Sequence, residues 1–199
     1  MGITERRLRQ KEEVKSGILA TAWQLVIKDG WQSLSIRKIA DAIEYSSPVI
    51  YDHFDNKEAI LAEFAKEGFR LLSKKIQQAK AKSADPAAQL KAMANAYWHF
   101  AFRNKAHFQL MYGQGMPGCE IEKCFPGRSD FRNLIMEPIA AIISKSENPR
   151  VNPCLKYYTF WSILHGLIAI KNMRNPNVTV EVNKMVLDDA ITGFIKNLQ

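Results

Sequence analysis

Between residues 51 and 58 the chain reads YDHFDNKE, which puts a phenol, an imidazole and an ammonium group (Tyr51, His53, Lys57) within one short stretch. Their polar tips suit phosphate oxygens. Asn56 and Lys57 stand where a helix would begin, so backbone N–H groups and a cation are offered to an anion together. Residues 35–54, SIRKIADAIEYSSPVIYDHF, read as a short amphipathic helix, a four-residue turn and a second short helix. Ile36, Ile39, Ala40 and Ile43 recur at helical spacing with Ser35 as N-cap, and Ser46 is expected to cap the second helix. Packed on a third helix carrying Val14, Ile18, Ala22 and Val26, the pair makes a helix-turn-helix unit. The second helix of such a unit lies in the major groove of DNA.

The recognition chemistry then divides by position. Ser47, Pro48 and Val49 form the exposed first turn, with Arg37 and Lys38 beside it. None of the three makes the bidentate contacts that read guanine or adenine, but Pro48 and Val49 can pack on thymine methyl groups. Arg37 is the guanidinium available to a guanine or a phosphate. Affinity is expected from backbone contacts through Ser46, Tyr51, His53 and Lys57, with Ser35 in the same DNA-facing set.

Other chemistries find little support. There is no GxxxxGK[ST] phosphate loop, no HExxH and no GxSxG, and His99, Glu120 and Cys154 are scattered, so no enzyme and no cofactor are expected. Cys119 and Cys124 with a remote His107 fall short of a zinc set. As a thiol sensor the two cysteines have only Lys123 for a nearby cation. Three cysteines without a CxxC pair suit reduced thiols in a cytoplasm. The net charge of +8 is uneven: residues 1–57 hold nine Lys/Arg against eight Asp/Glu, and residues 66–82 hold six against one. A basic run of that kind reads as a solvated helix face. No apolar stretch approaches the ~18 residues of a membrane span, and the first residues lack the apolar run of a secretory signal. A cytoplasmic location is expected.

These residues need elements to hold them, and the apolar periodicity is helical from end to end. The fold class is all-α. Asp29-Gly30 ends the first long helix. A very short element spans about residues 47–53, and the spacing of Asp55 and Glu58 predicts a capping box opening a fourth helix with Leu61, Phe64, Gly68, Leu71 and Leu72 inside. Asp85-Pro86 starts the next, with Met93, Tyr97 and Phe100, ending near Asn104. A short piece over residues 107–112, an irregular Gly/Pro-rich stretch over 113–127, and helices over about 130–145, 152–172 and from about 181 complete the chain. Residues 177–182 are the one short strand candidate. Tyr97, Trp98, Phe102, Phe108, Met111, Tyr112, Tyr158, Trp161 and His165 pack as core or line a ligand pocket, and helical spacing alone leaves both open.

The helix-turn-helix stretch resembles the DNA-binding domain of the tetracycline-repressor (TetR) family of bacterial transcription regulators, whose pattern is similar to I-A-x-x-A-G-V-S-x-G-T-L-Y-x-H-F-x-x-K-E-x-L. Ile39, Ala40, Ser46, Tyr51, His53, Phe54, Lys57 and Glu58 match it. Further on, Trp161, His165 and Gly166 resemble the W-x-x-x-H-G signature of one group of TetR-like C-terminal domains. The resemblance implies a DNA-binding domain over residues 10–56, a connecting helix over 57–82, and an effector-binding and dimerisation domain over 83–199. It implies a repressor that a small apolar or aromatic effector releases from a palindromic operator, with a pocket lined by the aromatic set above. It also implies a homodimer, through the two helices over residues 153–172 and 181–198. The competing reading is a helical carrier or enzyme retaining a degenerate helix-turn-helix. The chain departs from the pattern at the turn, where Glu44 stands for glycine and Pro48 and Val49 for Gly and Thr. If the turn needs positive φ, Glu44 costs roughly 1 kcal/mol or more there.

Overall fold

The computed structural model describes residues 2–112, 127–147, 150–172 and 180–199. The irregular stretch expected over residues 113–127 lies outside these, apart from Gly127. The strand candidate lies partly outside as well; its last residues, from Val180, form the first turn of a helix instead. The described residues are helical, with no strand among them.

The chain divides into two compact units, one of residues 1–68 and 106–124, the other of residues 69–105 and 125–199. The first holds α1 (Ile3–Asp29), a 3-10 turn (Trp31–Ser33), α2 (Ile36–Ala42), α3 (Ser47–Tyr51), the start of α4 (Lys57–Lys80) and nearly all of α6 (Lys105–Tyr112). Ile18, Ala22 and Val26 of α1 form its core with Ile39, Ala40, Ile50, Phe54, Ile60 and Phe64. Helix α6 closes this core from far along the sequence. The Trp31 indole N–H donates to the Ala106 carbonyl at 2.8 Å, His107 lies on Trp23 with ring centroids 4.2 Å apart, and Leu110 is buried.

Local signals explain most boundaries. Gly30, at φ 80°, ends α1 by donating its N–H to the Val26 carbonyl at 2.8 Å. The Ser35 hydroxyl caps α2, accepting from the Lys38 N–H at 3.2 Å. Helix α4 departs from the expected capping box, because its cap is the Asn56 side chain, accepting from the Ala59 N–H at 2.8 Å. A short amide side chain immediately before Lys57 reaches that N–H, so the helix begins one residue later than an Asp55 cap would require. Helix α1 starts far earlier than its apolar period, which begins at Val14, since residues 4–13 are all exposed.

The second unit holds the rest of α4 with α5 (Pro86–Arg103), α7 (Arg128–Ile143), α8 (Pro153–Asn172) and α9 (Val180–Lys196). Asp85 caps α5 as expected, accepting from the Ala88 N–H at 2.9 Å. Leu90, Met93, Tyr97, Ile135, Ile139, Phe160, Leu164, Ile168, Leu187 and Ile191 are buried between these helices. Helix α8 is apolar nearly all round, yet its buried residues are only Phe160, Leu164 and Ile168. Leu155, Tyr158, Ser162, Gly166, Ala169 and Ile170 stand exposed on its other side. Among the described residues no helix is long and apolar enough to cross a membrane.

Candidate nucleic-acid interface

The turn between α2 and α3 takes the conformation that glycine would favour. Glu44 has φ 59°, the one positive φ among non-glycine residues described. The backbone is closed by the Tyr45 N–H donating to the Ala40 carbonyl at 3.0 Å. Pro48 sits in the first turn of α3, where a missing N–H leaves no bond unmade. Ser46 holds the N-cap position, but its side chain makes no capping bond. The expected capping role is therefore carried by its backbone alone, through the Val49 N–H to the Ser46 carbonyl at 3.0 Å, and the exposed hydroxyl is left for another partner.

Burial fixes which way α3 points. Ile50 is 0% and Phe54 5% exposed, which anchors the helix in the head's core. Pro48 and Tyr51 are exposed, with Ser47, Val49 and His53 half-buried beside them. The His53 Nδ1 is shut from solvent without a hydrogen-bond partner, so a phosphate contact from this ring must come through Nε2. Lys57 opens α4 half-buried. Lys38 is exposed, and Arg37 is held only by a 3.9 Å contact with Asp41 between well-exposed side chains; such a pair yields readily to a better anion. The structure thus places Arg37, Lys38, Ser46, Ser47, Pro48, Val49, Tyr51, His53 and Lys57 on one head, the first unit, between α2 and the start of α4, while the Ser35 hydroxyl serves α2 as its cap. Sequence reasoning passed over Tyr45, half exposed at the turn, although an aromatic residue in a turn was a visible signal. It also passed over Lys15, whose Nζ lies 5.8 Å from the centroid of the Phe54 ring.

The same unit buries one titratable group. His107 is 6% exposed, and its Nε2, without a hydrogen-bond partner, lies 3.9 Å from Glu67 Oε2. Burial pushes its pKa below the ordinary imidazole value, and the Glu67 carboxylate pulls weakly the other way. Gly68 permits the close approach of α6: a Cβ there would meet Met111 Sδ at 2.6 Å and His107 Cβ at 3.2 Å.

The residues expected to line one effector pocket fall into both units. Phe108, Met111 and Tyr112 lie on α6 in the first. In the second, Tyr97, Trp161 and His165 come together, with the Tyr97 and Trp161 rings 5.0 Å apart and those of Trp161 and His165 4.7 Å apart. His165 Nδ1 lies 3.2 Å from the Trp161 carbonyl, and its Nε2 3.0 Å from the Tyr97 hydroxyl. A carbonyl only accepts, so Nδ1 carries the proton and the hydroxyl donates to Nε2. Burial lowers the His165 pKa, which keeps this neutral tautomer. Trp98 and Phe102 share the Lys171 ammonium, 4.8 and 4.1 Å from their centroids. Tyr158 instead faces outward, edge-on to Tyr157. A groove between α5 and α9 has mixed walls, Lys91, Asn95, Leu187, Asp188, Ile191 and Thr192, and includes none of the expected aromatics. Cys119 and Cys124 lie outside the described residues; Cys154 is a half-buried free thiol.

Two family models match the chain. Bacterial regulatory proteins, tetR family, covers residues 18–72, and Tetracyclin repressor-like, C-terminal domain, covers residues 90–186. No curated protein sequence matches. Among solved structures, the chain is similar to the TetR family transcriptional regulator PfmR from Thermus thermophilus, with TM-score 0.66 and 20% identity over 92% of this chain and 98% of that one. It is similar to AibR in complex with isovaleryl coenzyme A and operator DNA, with TM-score 0.66 and 17% identity over 90% and 96%. The fatty acid degradation regulator FadR from Bacillus halodurans gives TM-score 0.68 and 18% identity over 93% and 96%. At these identities the likeness is one of fold.

Proposed function

This chain belongs to the TetR family of bacterial regulatory proteins, and we propose that it represses transcription from a palindromic operator until a small effector binds. The observation that carries the reading is α3 itself, held from behind by Ile50 and Phe54 while Pro48 and Tyr51 stand exposed. Lys57, at the start of the next helix, supplies a cation for the flanking phosphate. Footprinting the region upstream of the gene, followed by affinity measured across a salt series, tests it. Operator binding with a steep negative salt slope is the expected result. A helical carrier would protect no DNA and show no slope.

Two-fold symmetry follows from the size of the reading head, since one short recognition helix covers too few base pairs for useful specificity. The exposed side of α8, with Leu155, Tyr158, Ser162, Gly166, Ala169 and Ile170, and that of α9, with Val182, Met185, Val186 and Gly193, supply the surface for a homodimer. Small residues let the backbones approach, and Leu155, Tyr158, Ile170, Met185 and Val186 are large apolar side chains exposed on these faces.

For the effector, the Tyr97–His165–Trp161 group favours a mainly apolar or aromatic molecule with one polar atom to place against the hydroxyl–imidazole pair. AibR was solved with isovaleryl coenzyme A and FadR is a fatty acid degradation regulator, so an acyl chain is one molecule of this kind. Coupling to the DNA runs through α4, a continuous helix from Lys57 to Lys80 that contributes residues to both units. The effector must bind the two states of that lever unequally to have any effect. Such a regulator works in the cytoplasm.

A further inference from the structure

We propose that α1 carries a second DNA-binding surface, a row of Arg7 and Lys11 continuing from Lys15, which grips the backbone beyond the base pairs addressed by α3. It rests on the DNA-binding reading above. Residues 4–13 are exposed throughout, and the first buried residue of α1 is Ile18. About ten residues, or ~15 Å of helix, therefore project past the core. Packing does not explain them, because they have no buried face.

Charge does. The projecting stretch and the turn that follows carry Arg6, Arg7, Arg9, Lys11 and Lys15 against Glu5, Glu12 and Glu13. Two of the acids are engaged within the helix: Glu5 accepts from the Gly2 N–H at 3.0 Å, and Glu13 lies 3.6 Å from Arg9. At about 100° per residue, Arg7, Lys11 and Lys15 fall along one face with Thr4 and Leu8. Arg6, Arg9 and Glu13 fall on the opposite one, and Glu12 between the two. At its inner end the Lys15 ammonium lies 5.8 Å from the ring centroid of Phe54, the buried residue that anchors α3. From there the cations step outward by about 6 Å each. Duplex DNA presents one negative charge per ~1.7 Å of its axis, so such a row meets phosphates wherever it lies along the backbone. Charge complementarity, in the unit that also carries α3, selects DNA as its partner.

The test uses the full chain and a duplex that the wild type selects from a random-sequence pool, once with long flanks and once trimmed to the selected core. Replacing Arg7 and Lys11 together by Gln should weaken binding to the long duplex and flatten its salt slope by about two units per bound chain. Binding to the trimmed duplex should not change. Replacing Arg6 and Arg9 removes the same charge from the other face and should do much less. The pair Arg7→Lys with Lys11→Arg should bind as wild type, and thermal midpoints should hold because none of these side chains is buried. Equal slopes for wild type and the Arg7/Lys11 variant overturn the proposal, as does an equal loss from the Arg6/Arg9 variant. A failed rescue or a lowered midpoint in the conservative pair overturns it too. A wild-type chain that selects no duplex overturns the DNA-binding reading beneath it.

Discussion

At the scale of single residues, base reading and phosphate gripping should separate by substitution. Lys57→Ala should weaken all sequences alike and reduce the salt slope by about one unit. Val49→Ala should lose discrimination at one thymine per half-site, by about 1 kcal/mol. Binding titrations on an operator and its single-base variants check both. Glu44 gives a second prediction. A non-glycine residue at φ 59° carries roughly 1–2 kcal/mol of backbone strain, and glycine would remove it at an entropic cost of about 0.5–1 kcal/mol. Glu44→Gly should therefore raise the thermal midpoint slightly, read by calorimetry. The imidazoles of His107 and His165 give a third. Burial holds His107 and His165 below the ordinary value of 6.5, so the unfolded chain takes up protons that the folded chain refuses. Stability is complete above about pH 6.5 and falls as the pH drops through that value toward the folded pKa. Denaturation at pH 7.5 and 5.5 should show the loss, and replacing both residues by Gln should shrink it; an undiminished difference would refute the assignment.

At the scale of elements, the contact of α4 with α6 depends on Gly68. Gly68→Ala pushes a methyl group into Met111 and toward the His107 Cβ. The thioether can swing aside but the helix cannot, so a loss of about 1–3 kcal/mol is expected in chemical denaturation. Which elements were legible in the sequence follows from where their signals lie. The helix-turn-helix could be read because its evidence is local: Ser35 as cap, the apolar spacing from Ile36, and the run from Tyr51 to Glu58; the left-handed position at Glu44 could not, because glutamate does not announce one. Asp85 announced α5 in the same way. Asn56 was missed as the α4 cap because Asp55 is an equally good capping residue one position earlier, and only the folded backbone decides between them. The early start of α1 was illegible because residues 4–13 bury nothing and so show no apolar period. The assignment of α6 to the reading head was illegible for a different reason, since the Trp31 indole meets a carbonyl 75 residues away. Among the aromatics, spacing could not tell Tyr97, buried against His165, from Tyr158, which faces water.

At the scale of the whole molecule, the outward faces of α8 and α9 are the features that one chain leaves unsatisfied. Ala169→Arg combined with Met185→Glu places charges on both helices where neither side chain is buried. Sedimentation should then show a monomer, and operator affinity should fall while the midpoint of the isolated chain holds. A dimer that survives both charges would remove these helices from consideration as its interface. The placement of α6 also has a bearing on how the protein is made. The reading head is not a finished object when residue 68 has been polymerised, because Trp23, Trp31 and Phe64 still lack the helix that covers them. About 44 more residues must be added before Tyr112 completes that helix, roughly 2–9 s at ordinary translation rates. Throughout that interval the nascent chain shows an aromatic patch to the ribosome exit and its chaperones, and the head closes only after α5, which belongs to the other unit, has emerged in full.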